Sequence, residues 1–139
     1  MRKVLLVMLV VALAFGLIAG VIIVSSVFLN NQDNKIKVVS SEQCKGKSVT
    51  KHQANIENDQ VSPKNTEGKL CDTLTITNLD KQTRDIAFGK HDEHIEYDGV
   101  IEEPVAPGKS LTVTLNKTGS YLFHDHDDET VGGTFTVTE

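Results

Sequence analysis

Four of the five histidines of this chain lie in two short clusters, HDEH and HDH. They are His91, His94, His124 and His126. An H-x-x-H pair on a loop lets two imidazoles converge on one ion. An H-x-H pair on an extended strand places both rings on one face, because side chains alternate along a strand. Neutral imidazole is a ligand for copper(II), zinc and nickel, so this spacing predicts a metal site.

Acidic residues surround both clusters and would supply negative charge to a bound cation. They are Asp92, Glu93, Asp125, Asp127, Asp128 and Glu129. Such carboxylates accept hydrogen bonds from the ring N–H groups of metal ligands. Asp125 and Asp128 are therefore candidate partners of the ligands or extra ligands, although a regular strand would point Asp125 away from its flanking histidines. Tyr97 is expected to pack over the site or to anchor its loop.

Other interpretations of these residues stay open. The segment HDHDDE also fits a solvated acidic turn that binds no metal. Calcium binding through oxygens is disfavoured because the spacing differs from that of an EF-hand loop. His52 stands alone between Lys51 and Gln53 and is expected to be structural.

Alternating apolar residues predict that β-strands carry these clusters. The alternation involves Leu70, Leu74, Ile76, Ile86, Phe88, Leu111, Val113, Leu115, Tyr121, Phe123, Phe135 and Val137. Period two with β-branched neighbours is typical of half-buried antiparallel strands, and glycines and prolines separate the runs. The pattern predicts an all-β protein, a Greek-key sandwich or barrel, within residues 49–139.

The N-terminal segment, residues 1–30, is of a different kind. The 26 residues from Val4 to Leu29 carry no charge and are nearly all apolar, which is enough to cross a bilayer as one helix. Arg2 and Lys3 precede them and predict a cytoplasmic N-terminus with the domain outside the membrane. A cleaved signal peptide is the alternative, and either one exports residues 31–139.

A polar linker is expected over residues 31–48, because this stretch has no apolar period. Cys44 and Cys71 are the two cysteines of the chain, and export would permit a disulfide between them. Two thiols in a metal site are the alternative.

Charge excludes some functions. The chain has 14 basic and 19 acidic residues, and since Arg2 and Lys3 are in the N-terminal segment, residues 31–139 carry 12 against 19. No basic patch for nucleic acid is visible. No hydrolase, metalloprotease or phosphate-loop motif is present, so an enzyme is not the expected class, with a non-blue copper oxidoreductase as the enzymatic alternative.

The sequence resembles the cupredoxins. The resemblance is carried by VSP at 61–63, GKLCDTLTITNLD at 68–80, APGK at 106–109 and GSYLFHDHDDETVGGTFTV at 119–137. It implies an eight-stranded Greek-key sandwich with copper near the loops at one end. Both histidine clusters would approach that end.

The ligand positions of the family depart from its usual pattern. The cupredoxin motif G-x-Y-x-F-x-C-x-x-H-x-x-M places its cysteine at Asp125, its histidine at Asp128 and its methionine at Val131. The earlier family histidine falls near Arg84. A type 1 copper centre needs a thiolate, two imidazoles and a weak axial ligand, so it is not expected here.

The sequence thus predicts a membrane-anchored, extracytoplasmic cupredoxin-like protein that binds copper, with zinc as the alternative. The predicted ligands are the four clustered histidines, and the predicted role is copper handling or electron transfer. A metal-free interaction or structural domain at the cell surface is the second hypothesis.

Overall fold

The structure, a computed structural model, describes residues 36–139. The predicted anchor, residues 1–30, lies outside this part of the chain. Within the described residues, no helix combines the length and the apolar character that crossing a membrane requires.

One short helix and ten strands make up the described domain. They are α1 (Ser41–Cys44), β1 (Lys51–Glu57), β2 (Gln60–Ser62), β3 (Asn65–Lys69), β4 (Thr73–Asn78), β5 (Arg84–Lys90), β6 (Glu93–His94), β7 (Glu102–Val105), β8 (Ser110–Thr114), β9 (Gly119–Asp125) and β10 (Asp128–Thr138). The fold is therefore all-β, as the alternating pattern predicted.

The strands form two sheets. The first has the order β2-β1-β4-β8, and the second has the order β3-β10-β9-β5-β6 with β7 also paired to β5. Most neighbours are antiparallel, as predicted, but β1 runs parallel to β4 and β3 runs parallel to β10. These two parallel pairs arise because the chain crosses between sheets, which a local alternation of apolar residues does not reveal.

The core consists of the inward residues of both sheets. Strand β4 buries every second residue, including Leu74 and Ile76, and β5 contributes Ile86 and Phe88. Tyr97 is fully buried, with its ring centroid 4.7 Å from that of Tyr121. Tyr97 also contacts Phe88 and Phe135. It therefore anchors the segment between β6 and β7 to the core.

Residues 36–48 differ from the predicted linker, because they pack against the sandwich. Val39 is buried, and its N–H donates to the carbonyl oxygen of Asn116 at 2.8 Å. Val38 forms an isolated β-bridge with Lys117. One buried apolar side chain, backbone hydrogen bonds and the disulfide of Cys44 hold this segment against the sandwich.

The predicted disulfide between Cys44 and Cys71 is confirmed, with the two Cα atoms 5.3 Å apart. Cys71 follows β3, whose Lys69 pairs with Thr138 of β10, whereas His124 pairs with Gly132 near the other end of β10. The disulfide therefore lies at the end of the six-stranded sheet opposite the histidines.

Replacing both cysteines by serine is expected to destabilise the protein by about 3–4 kcal/mol, because the bond closes a 27-residue separation in the unfolded chain. Urea unfolding of the Cys44→Ser/Cys71→Ser variant measures this loss, and reduction of the wild type should reproduce it. Equal stability of the oxidised wild type and the variant would contradict the prediction.

Candidate metal centre

Strand pairing brings the two histidine clusters together. In the ladder between β5 and β9, Ala87 pairs with His124, and in the ladder between β5 and β6, Gly89 pairs with His94. His126 follows β9, and its N–H donates to the carbonyl oxygen of Asp85 at 2.7 Å. Residues of both clusters therefore lie beside the same strand pair, β5–β9.

The histidines occupy the outer face of the six-stranded sheet. Phe123 belongs to the core, and side chains alternate along β9, so His124 projects to the opposite face. The β5–β6 turn folds back over this face. The resemblance placed the clusters at the metal-binding end of the sandwich, and the structure adds that they lie outside the sheet rather than inside it.

Two glycines permit this close approach. Gly89 has a φ of +96°, and a Cβ there would stand 2.6 Å from the carbonyl oxygen of Glu93. Only glycine adopts this conformation without strain, so Gly89 lets β6 turn back directly onto β5. A Cβ on Gly132 would stand 3.0 Å from the Cβ of His124 and 2.6 Å from the carbonyl oxygen of Phe123.

The four predicted ligands converge. His91, His94, His124 and His126 each offer one ring nitrogen, and these nitrogens all lie within 4.8 Å of one another. Nδ1 of His126 and Nε2 of His94 are 3.3 Å apart. An ion bound at about 2.0–2.1 Å would separate its ligand nitrogens by roughly 3–4 Å, so a small inward movement completes coordination.

The four imidazole rings differ in their exposure to solvent. His124 is only 6% exposed, His94 and His126 are half-buried, and His91 is exposed. Nε2 of His124 is buried and has no hydrogen-bond partner among residues 36–139. A buried polar atom of this kind is costly unless something binds it, and a metal ion is one such partner.

The environment of His124 keeps its imidazole neutral. Burial and the neighbouring His94 lower its pKa below the usual value of 6.5, against an opposing backbone hydrogen bond with Gly89. His91 and His126 act in the same direction as His94. Since the neutral ring is the form that ligates a metal, this environment favours coordination at neutral pH.

Glu102 is a further residue of the site that the sequence did not indicate. Its Oε2 lies 3.6 Å from Nδ1 of His94 and 3.9 Å from Nδ1 of His126. It reaches the cluster because β7 pairs with β5, with Ala87 opposite Glu102. A carboxylate beside Nδ1 of His94 favours the tautomer that carries its proton on Nδ1. In that tautomer Nε2 has a free lone pair and can bind a metal ion.

Comparison with known proteins identifies the fold. The purple cupredoxin of Nitrosopumilus maritimus superposes with a TM-score of 0.55 and 22% identity, over 63% of this chain and 99% of that one. Amicyanin from Paracoccus versutus superposes with a TM-score of 0.53 and 19% identity, over 76% of this chain and 99% of that one. The fold is cupredoxin-like. No protein-family model matches the sequence, and no curated protein does either.

A buried ion pair joins β5 to β9 within this cupredoxin-like fold. Asp125 accepts a hydrogen bond from Nη1 of Arg84 at 2.8 Å and another from the N–H of Asp85 at 3.1 Å. Asp125 therefore faces away from His124, as strand alternation predicted, and is not part of the histidine cluster.

Arg84 binds two further carboxylates. Its Nη2 donates to Asp80 at 2.6 Å and also to Asp59. Burial opposes the guanidinium charge, but hydrogen bonds to Asp125, Asp59 and Asp80 raise the pKa of Arg84 above its already high usual value. The interior of this end of the sandwich is thus occupied by ion pairs.

The remaining residues singled out in the sequence lie elsewhere. Asp128 is exposed, and hydrogen bonds from the hydroxyl and N–H of Thr130 lower the pKa of its carboxyl. Tyr97 is in the aromatic core. His52 lies 3.0 Å from Asp72, near the disulfide end of the fold. None of these three belongs to the group of converging nitrogens.

Proposed function

We propose that this protein is a membrane-anchored, extracytoplasmic, cupredoxin-like copper-binding protein whose ligands are His91, His94, His124 and His126. The observation that carries the proposal is the convergence of four imidazole nitrogens within 4.8 Å. Two further observations support it: the buried Nε2 of His124 has no hydrogen-bond partner within the described part of the chain, and the carboxylate of Glu102 lies beside two of the rings.

The donor set favours a non-blue copper centre. The chain has two cysteines and the disulfide uses both, so no thiolate is free for a type 1 site. Residues 31–139 contain no methionine to serve as an axial ligand. Four imidazoles bind copper(II) more strongly than zinc in the usual affinity order, which makes copper the first choice and zinc the alternative.

The graded burial of the ligands favours copper handling over a sealed cofactor. His124 would fix the ion to the sheet, while the exposed His91 would leave one side open to exchange with solvent or with another protein. The apolar segment from Val4 to Leu29, preceded by Arg2 and Lys3, would hold this domain at the outer surface of a membrane.

Isothermal titration of the full-length protein in mild detergent tests the proposal. We expect one Cu(II) per chain at neutral pH and weaker binding of Zn(II). The affinity for Cu(II) should fall steeply below about pH 6, because protonated imidazole rings do not bind metal. The expected decrease is on the order of tenfold per pH unit for each imidazole that becomes protonated.

Two results would argue against this function. Stoichiometric binding that persists unchanged into acid would point to carboxylate ligands rather than imidazoles. No measurable Cu(II) or Zn(II) binding would favour a metal-free interaction or structural domain at the cell surface.

A further inference from the structure

One side of the histidine cluster opens into a cavity of about 290 Å³. His91 and His124 both line it, together with Lys64, Lys90 and Leu122. We call this cavity, bounded by these five residues, the lysine cleft. It connects two of the four proposed ligands, one of them almost completely buried, with the solvent.

The two sides of the cluster differ in charge. The carboxylate of Glu102 lies beside His94 and His126, whereas Lys64 and Lys90 line the cleft together with His91 and His124. One acid, Glu129, also lines the cleft and leaves it with a net positive charge. This positive border lies in a domain whose acidic residues outnumber its basic ones by 19 to 12.

The difference in charge between the two sides of the histidine cluster would affect which further ligand a bound copper(II) ion takes. A copper(II) ion held by four imidazoles would accept an additional, weakly held ligand. Glu102 lies beside His94 and His126, so such a ligand would reach the site from the lysine cleft, which His91 and His124 line. A copper ion and two lysines that line the same cleft would together attract an anion.

The volume and the lining of the lysine cleft restrict the size and the charge of the anion that it could bind. A volume of about 290 Å³ is at the small end of ligand pockets, which start near 300 Å³. Leu122 contributes an apolar part of the lining, while the lysines provide positive charge. A small monovalent anion with one compact polar group, such as a short monocarboxylate, matches both properties.

We propose that the lysine cleft binds a small carboxylate-class anion as an additional ligand of the copper ion. The inference rests on the proposed copper site and names the exogenous ligand of that site. Binding forms one bond from the carboxylate oxygen to the metal and displaces a water molecule, with no change of oxidation state.

Azide is the first probe, because its charge-transfer band with copper(II) reports coordination directly. Added to the copper-loaded full-length protein, it should produce this band and change the electron paramagnetic resonance spectrum. Formate should then displace azide and abolish the band. Failure of formate to compete overturns the carboxylate assignment, and an unchanged spectrum with azide overturns the open position.

Paired variants test the lysines. Lys64→Gln/Lys90→Gln should weaken azide binding about 3- to 10-fold without changing copper affinity, because the lysines act through space on the anion. Lys64→Arg/Lys90→Arg should retain the wild-type affinity. The matched control is Lys51→Gln/Lys109→Gln, which removes two exposed lysines beside or within the four-stranded sheet.

The outcomes separate the two proposals. Equal weakening of azide binding in both glutamine pairs would overturn the role of the cleft, since net charge alone would explain it. Copper binding without any response to azide removes this inference and leaves the copper function intact. Absence of copper binding removes both.

Discussion

Replacing His124 and His126 by alanine together should weaken Cu(II) binding at least about a hundredfold. Loss of a partner that merely orients a ligand already costs 10- to 100-fold, and this variant removes two direct ligands. His124 contributes most, because it is the buried ring whose Nε2 has no other partner in residues 36–139. Competition with a chromophoric chelator measures the affinity of the full-length variant.

His52→Ala is the matched control. It also removes an imidazole, but His52 pairs with Asp72 away from the cluster, so copper affinity should stay at the wild-type value. Circular dichroism must show the same β-rich spectrum for both variants. Wild-type affinity in the His124→Ala/His126→Ala protein would refute the four-histidine site, and an equal loss in His52→Ala would indicate nonspecific binding to surface histidines.

Sequence spacing was sufficient to predict which four histidines converge, because it rests on local rules. His124 and His126 share an H-x-H motif next to alternating core residues, and this geometry follows from strand periodicity alone. The opposite orientation of Asp125 follows from the same rule. The structure places Asp125 against Arg84, as that orientation requires.

Other parts of the site depend on long-range pairing that no local pattern encodes. Glu102 reaches the histidines through the β5–β7 ladder, and its own strand, EEPV, has no apolar alternation. Lys64 lies before β3, at the far edge of the six-stranded sheet, yet it borders the same cavity as His124. Register between distant strands decides both positions.

The interior ion pairs are a second feature with a large expected effect. The side chains of Arg84 and Asp125 are 1% and 3% exposed, so both charges are removed from water. Removing one member of such a pair leaves the other buried and uncompensated, which typically costs 3–5 kcal/mol. Arg84 links β5 to β9 through Asp125, which lies between His124 and His126 in the sequence.

Arg84→Met is therefore expected to lower the free energy of unfolding by about 3–5 kcal/mol, since methionine fills the volume but provides no charge for Asp125 or Asp80. Urea denaturation of the full-length protein measures the loss. A second substitution, Asp125→Asn, should recover a substantial part of it in the double variant, because asparagine still accepts from the Asp85 N–H without a buried charge.

Asp59→Asn is the control, because it removes a carboxylate that also binds Arg84 but is 67% exposed. Exposed ion pairs contribute little, so this change should cost less than about 1 kcal/mol. Equal stability of Arg84→Met and the wild type, or equal losses in Arg84→Met and Asp59→Asn, would show that burial does not govern this ion pair.

The pH dependence of the Arg84→Met effect follows from Asp80. Burial alone would raise the pKa of Asp80, but hydrogen bonds from Arg84 and from the N–H groups of Asn58 and Asp59 lower it overall. The stability from this carboxylate is present at neutral pH and is lost as the pH falls through its lowered folded-state pKa. The difference in stability between wild type and Arg84→Met should therefore narrow in acid, and a difference that widens there would contradict the assignment.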